Sequence, residues 1–583
     1  MCLAKLVRVD MSALKVTEEP LPDKYATLGG RALTSQIVVD EVPATCHPLG
    51  PNNKLVFAPG IVTGTRAPSS GRVSVGGKSP LTGGIKEANA GTPASQRMAR
   101  LGIRALVIEG QPADPDKRWL LVLDARGARL KPADELKGLG MYETFRRLRD
   151  RFGEVGLVGT GPAGEMRMAV AGICFNDGEY RASRYAGRGG LGAVMGSKGL
   201  KAIVIDDRGG PGVTIKDQEL FDRGVKALAD GLLKHDVTKP GGALNSYGTA
   251  VLINILNEAG GLPTRNFARG QFEGASKISG EAIAEIVGQR GGAGATGHAC
   301  HPGCLIKCSN IWPRPDGAEH VSVIEYESDW ALGANLEIDD LDKIAEMIRL
   351  CNDLGLDTIE TGVTLGVAME AGVIPFGDAD GAIRLLKEEI GQGTPLGRIL
   401  GNGAHFTGRA FGVTRVPVVK GQGMPAYEPR AVKGIGITYA TSTMGADHTA
   451  GYTIAPEILA VGGKADPLVT TGKVEMSRGL QRATAFLDSS GYCLFIAFAI
   501  LDFPEAFQGV VDSVNGVLGT NLTVEEVDSY GARVLALERD FNRRAGLGPA
   551  YDRLPEFMKM EALPPHNHTF DVPDEDLDRV HEG

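Results

Sequence analysis

Three of the eight cysteines, Cys300, Cys304 and Cys308, fall four residues apart in "CHPGCLIKC", directly after the glycine-rich "GQRGGAGATG". Thiols so clustered in a large chain, with Cys2, Cys46, Cys174, Cys351 and Cys493 scattered singly, point to a metal or redox group and not to a disulfide framework. Zinc and an iron–sulfur cluster compete for them. Structural zinc usually draws on two close pairs of ligands, whereas a cubane [4Fe–4S] cluster often takes three cysteines from one loop and one from far away. His298 and His301 keep the zinc reading open. Of the downstream cysteines, Cys351 sits in an apolar helical pattern and reads as a core thiol, so Cys493, in the turn "LDSSGYCLF", is the expected fourth ligand.

Acid–base candidates are Glu325 and Glu327 in "EYESDWALGAN", on one side of the chain if it is extended, and His448 among small residues in "MGADHTAGYT". Taken alone they read as surface glutamates and a loop histidine. "GTGPAG" (159–164) matches the dinucleotide fingerprint by letter, but the following "EMRMAVAGICF" looks like a strand where a helix is required, so it reads as a turn. "GRGGLGAVMGSKGLKAIVI" (187–205) lacks P-loop order. Its neighbours Arg184, Arg188, Lys198 and Lys201 read equally as a phosphate seat or a solvated basic face.

Such residues need a scaffold of several domains, and 583 residues are too many for one core. Residues 1–210 carry short apolar runs such as "KLVFAP", "ALVIEG", "WLLVLD" and "KAIVID" between Gly, Pro and Asp, a β-rich texture. Beyond about 215 the period changes: "DLDKIAEMIRLCNDLGL" (340–356) and "TVEEVDSYGARVLALERDFNRR" (523–544) have helical spacing. The Gly-, Pro- and Val-rich 411–430 is expected to separate two helical lobes, and the polar tail from "PPHNHTF" onward to be a surface extension. The fold class is therefore α+β, divided 1–210, 211–420 and 421–583. A net charge of −9 without a long basic run excludes a nucleic-acid footprint. The start has no signal-like core and "YCLFIAFAILDF" is too short for a membrane span, so a cytoplasmic protein is expected.

Nearly the whole chain resembles the tungsten-containing aldehyde:ferredoxin oxidoreductases. The likeness runs through "GGRALTSQIV", "NKLVFAPGIVTGTRAPSSGR", "KSPLTGGIKEANAG", "GPAGE" and "AGRGGLGAVMGSKGLKAI", and through two turns, "NDLGLD" (352–357) and "DSSGYC" (488–493). The resemblance implies that the β-rich domain forms the base under a tungsten bis-pterin, followed by two mainly helical domains. Arg72, Asn89 and Gly91 would touch the pterin, and Arg188 and Gly189 would lie beside its phosphates and a bridging Mg2+. The two turns would cradle one pterin each, through Asn352, Leu356 and Asp357, and through Asp488 and Tyr492. Cys300, Cys304, Cys308 and Cys493 would hold a [4Fe–4S] cluster, and Glu327 and His448 would be the acid/base pair. This chain departs from the family pattern in a first cysteine gap one residue longer, in Asn352 for Asp and in Tyr492 for Leu.

The implied activity is oxidation of aldehydes to carboxylic acids, with water as oxygen source and two electrons passed through the cluster to a ferredoxin. In bacterial relatives the acceptor would be a polyferredoxin subunit with a flavin subunit behind it, which implies an oligomer or heteromeric complex. Two alternatives stand beside it: a specialised member, such as the tungsten subunit of a benzoyl-coenzyme A reductase, and a non-catalytic iron–sulfur electron-transfer protein.

Overall fold

Strands buried on both faces read as continuous apolar runs, and the four runs of the first 210 residues are such strands. The computed structural model describes residues 4–582, so Cys2 lies outside it. The runs form β3 (Leu55–Pro59), β6 (Ile103–Glu109), β7 (Trp119–Asp124) and β12 (Leu200–Ile205), after β1 (Lys5–Asp10) and β2 (Lys15–Pro20). Between them come β4 (Arg72–Lys78), β5 (Ile85–Gly91), β8 (Gly127–Pro132), β9 (Gly156–Gly159), β10 (Ile173–Asn176) and β11 (Ala182–Ala186). They make two six-stranded mixed sheets, ordered β2-β1-β6-β3-β4-β5 and β11-β10-β9-β12-β7-β8.

The alternation of side chains decides what each face covers. Leu55, Phe57, Leu106 and Ile108 of the first sheet share a core with Leu121, Leu123, Ile203 and Ile205 of the second. On the outer faces, Val56, Ala105 and Val107 pack on Leu33, Ile37 and Val38 of the helix Gly30–Glu41. Leu120, Val122 and Val204 pack on Phe145 and Leu148 of the helix Met141–Phe152. The β-rich expectation is met as a four-layer sandwich.

The remainder is mainly helical, with helices at Leu341–Leu354 and Glu526–Arg544 where the helical spacing put them. Two expectations fail. Within 411–430 the backbone is not an open linker: it makes a short hairpin, Val418–Val419 with Gln422–Gly423, and residues 422–430 are buried, so its Gly and Pro serve close packing. The tail is not a surface extension either: Phe570, Val572, Leu577 and Val580 are buried in the same large core as Ile61, because four apolar anchors suffice to dock a polar stretch. Among the described residues no helix is long and apolar enough to cross a membrane.

Candidate active site

A cavity of about 340 Å³ opens between the sandwich and the helical part. The sandwich contributes Arg72 from β4, Asn89 and Gly91 from the edge strand β5 paired with it, Ser183, Arg184 and Tyr185 from β11, and Gly187 and Arg188 from the turn that follows. The helical part contributes loops: the cysteine loop, the start of the helix Tyr326–Leu332, both pterin-type turns and the 3-10 turn His448–Ala450.

Tight glycine contacts set both pterin-type turns. In the first, Gly355 has φ +79° and lies against Gly161, where a Cβ on Gly355 would come 2.7 Å from the Gly161 nitrogen. This is the role of "GTGPAG": β9 runs into the single helical turn Pro162–Glu165, and its glycine packs on the other turn. Asp357 caps the helix Thr358–Glu370 through Glu360 N–H at 2.9 Å, and the Asn352 carbonyl accepts the Tyr185 hydroxyl at 2.5 Å. In the second, Gly491 has φ +94° and a Cβ on Gly60 would overlap its Cα. Asp488 there receives Arg31 Nη1 and Asn89 Nδ2, each at 3.3 Å, and burial pushes its carboxyl up to about 6.

All four expected cysteines line the cavity, whereas Cys351 is buried in the helical core and does not. Cys493 Sγ accepts Arg72 Nη2–H at 3.1 Å, Arg72 Nη1 donates to Asn89 at 2.8 Å, and Lys307 N–H points at Cys304 Sγ at 3.4 Å. The longer first gap leaves Cys300 on the wall beside Gly91, where a Cβ would stand 3.2 Å from its sulfur. The two histidines of the zinc reading have partners besides the cysteines, although His301 also bonds Cys300. His301 is held by the Pro302 carbonyl at 2.9 Å and Gly71 N–H at 3.3 Å, and His298 lies 3.4 Å from Asp177. Among the described residues no three His, Cys, Asp or Glu side chains are gathered as a single-ion site.

Glu325 and Glu327 do not share a face, because the segment is helical and not extended. Glu325 is the N-cap residue and turns to Arg184, 3.5 Å away, on the cysteine side. Glu327, in the first turn, accepts Ala426 N–H at 3.0 Å and brings Oε1 to 3.2 Å from His448 Nε2. Burial raises the Glu327 carboxyl to about 8 and lowers His448 to about 4, so at neutral pH the proton sits on the carboxyl and the imidazole is neutral. His448 is not among small residues only: Tyr427 and Tyr452 place their rings 5.8 and 6.4 Å from its own.

Two expected residues stay off the cavity wall. Tyr492 is buried with its hydroxyl on Ser513 at 2.7 Å, and Gly189 packs against the Lys86 side chain while its carbonyl accepts the Ser79 hydroxyl. The basic run is neither solvated nor wholly a seat. Lys198 bonds the Asn53 carbonyl at 2.6 Å and Lys201 bonds Glu165 at 2.5 Å, both buried, which leaves Arg184 and Arg188 in the cavity. Sequence reasoning missed Arg31, Lys86, Glu87 and Asp447, of which "KEANAG" alone gave a sign, charged residues inside an alternating strand.

Buried polar atoms normally find partners, yet Arg72 Nε, Ser183 Oγ, Arg184 Nε and Nη2, Arg188 Nε, Glu327 Oε1 and His448 Nδ1 have no hydrogen-bond partner and belong to this one cavity. Guanidinium donors beside thiols suit an anionic, phosphate-bearing guest next to a thiolate-held cluster. The residues present fit both groups.

The model for the N-terminal domain of aldehyde ferredoxin oxidoreductase matches residues 6–207, and that for domains 2 and 3 matches 224–582. The chain belongs to the aldehyde ferredoxin oxidoreductase family. It is 38% identical to the tungsten-containing aldehyde ferredoxin oxidoreductase of Pyrococcus furiosus, over 96% of this chain and 92% of that relative. For the protein of the same description from Thermococcus kodakarensis the figures are 37%, 96% and 92%. A solved active-site complex of benzoyl-coenzyme A reductase shares the fold at TM-score 0.81 and 18% identity, covering 99% of this chain and 93% of the other. Membership makes the chain an oxidoreductase of a tungsten family, with the α+β architecture described above.

Proposed function

We propose that this chain oxidises aldehydes to carboxylic acids, with water as the oxygen source, and passes two electrons through a [4Fe–4S] cluster to a ferredoxin-type acceptor. One observation carries the reading: the Glu327–His448 pair, 3.2 Å apart, shares a cavity with Cys300, Cys304, Cys308 and Cys493.

In this reading the four cysteines hold the cluster, and Arg72 joins it to the pterin side by its bonds to Cys493 and Asn89. The carboxylates of Asp357 and Asp488 accept pterin ring N–H groups, with Asn352 and Leu356 shaping the first turn and Tyr492 the second. The unpartnered donors of Arg184 and Arg188 would bond to the pterin phosphates, which would also hold the Mg2+, and Gly189, although off the cavity wall, follows Arg188 in the same turn. When bound, the tungsten bis-pterin supplies the electrophilic centre and takes up the two electrons.

The chain's own residues handle protons. An aldehyde and a water yield a carboxylic acid, two protons and two electrons. With Glu327 protonated and His448 neutral, the carboxyl donates a hydrogen bond to the carbonyl oxygen and the imidazole accepts a proton as water loses it. Tyr326, Tyr427 and Tyr452, packed round the pair, hold it in place and limit water.

The test is aldehyde-dependent reduction of a low-potential viologen by anaerobically purified protein, with the carboxylate counted against the dye. One carboxylate per electron pair is expected; no aldehyde-dependent reduction by tungsten-loaded protein overturns the proposal.

A further inference from the structure

A second cleft, of about 590 Å³, lies in the helical part and shares no lining residue with the active-site cavity. The helix Glu526–Arg544 forms one wall. Its three- and four-residue spacing sets Ala532, Ala536, Arg539 and Arg543 on the cleft face, while Val534, Glu538 and Phe541 on another face are buried. Leu535, Leu547 and Pro549 add apolar surface. The floor comes from distant segments. Asn542 Nδ2 donates to the Thr443 carbonyl at 2.6 Å, His581 Nε2 bonds the Thr441 carbonyl at 2.9 Å, and Lys420, its side chain only 4% exposed, donates to the Ala440 carbonyl at 2.8 Å.

This cleft is cationic in a chain whose net charge is −9. Lys420, Arg482, Arg533, Arg539 and Arg543 line it, against Asp540 and Asp552. Asp552 is shared by Lys420 at 2.6 Å and Arg539 at 3.0 Å, and Asp540 by Arg543 at 2.7 Å and Arg544 at 2.9 Å. Arg482 pairs with Asp528 at 2.7 Å. Among the described residues Arg533 has no carboxylate partner, only the Ser529 hydroxyl at 3.3 Å. Each carboxylate of the cleft therefore answers two cations, and Arg533 answers none. The His581 imidazole registers the excess: burial, then the charges of Arg539 and Lys420, push it down to about 4, which leaves it neutral.

Guanidinium forks bond oxoanion oxygens in pairs, and a doubly charged group offsets such a surplus better than a single carboxylate. The volume lies in the range of small-molecule sites and exceeds what an inorganic ion fills, and the apolar wall gives an organic body somewhere to lie. We propose that this cleft binds a small phosphate monoester, its phosphate held by Arg533, Arg539 and Arg543 and its organic part against Leu535, Ala536 and Pro549. The site is independent of the aldehyde chemistry.

Calorimetry on anaerobically purified, tungsten-loaded protein, so that the active-site cavity is filled, measures binding of glycerol 3-phosphate, inorganic phosphate and succinate. Arg533→Ala and Arg543→Ala, both at exposed positions, are compared with wild type after thermal unfolding has verified that each is folded. Glycerol 3-phosphate is expected to bind most tightly of the three, more weakly as salt is added, and about tenfold more weakly in at least one variant. Binding of none of the three at millimolar concentration, or unchanged affinity in both variants, overturns the site. Tighter binding of succinate overturns the phosphate, and tighter binding of inorganic phosphate overturns the organic body.

Discussion

The functional residues of this chain are ordinary types moved by their surroundings. Glu327 is a carboxyl that burial holds in its acid form up to about pH 8, and His448 an imidazole that burial keeps neutral down to about pH 4. If the protonated carboxyl and the neutral imidazole form the working state, kcat/KM falls as pH rises through about 8, when Glu327 ionises, and as pH falls through about 4, when His448 gains a proton. Initial rates across pH 4–10 check this, and an alkaline limb that persists in Glu327→Gln contradicts the assignment. Glu327→Gln and His448→Ala are each expected to lose roughly 10²- to 10⁴-fold in turnover with metal content retained. The four cysteines were legible because rare residues at short spacing stand out. Arg31, Lys86 and Glu87 were not, because a buried charge in a helix or a strand looks in sequence like any exposed one.

At the scale of elements, glycine contacts between distant segments set the site. Gly60 lies against Gly491 and Gly161 against Gly355, so each pterin-type turn is shaped by the sandwich beneath it. Gly60→Ala would drive a Cβ into backbone and displace the turn that carries Asp488 and Cys493. It is expected to lower stability by about 1–3 kcal/mol and to reduce bound tungsten and iron together. Gly178→Ala, where a Cβ meets nothing within 4 Å, serves as control in thermal unfolding and metal analysis. The helices and buried strands were readable from periodicity. The shape of "EYESDW" was not: a seven-residue helix is too short to show its period, and that choice decides whether Glu325 and Glu327 share a face.

The whole molecule is closed by contacts between chain ends. Arg31, in the helix Gly30–Glu41, makes two bonds of 2.9 and 2.8 Å to Glu538 in the helix Glu526–Arg544, and both side chains are buried. The Glu538 carboxyl is disfavoured by burial, yet Arg31 and the Thr443 and Ser35 hydroxyls hold it below its ordinary value. A depressed folded-state value adds stability above the unfolded carboxyl range, about pH 4.3, and loses it as pH falls further. Glu538→Gln should therefore cost about 3 kcal/mol in denaturant unfolding at neutral pH, with the gap to wild type closing below about pH 4. The two-layer pairing of sheets and the docking of the tail were not legible, since composition does not say which faces meet across hundreds of residues.

Convergence of both ends on one cavity makes the cysteine set the decisive feature, since Cys493 lies in a turn shaped by the first domain. Tungsten and iron content with electron paramagnetic resonance on reduced, anaerobically purified protein tests it most directly. Expected are one tungsten and about four irons per chain, with a cluster signal lost in Cys493→Ser and kept in Cys351→Ser. Zinc in place of iron, iron without tungsten, or an unchanged cluster signal in Cys493→Ser would contradict the account.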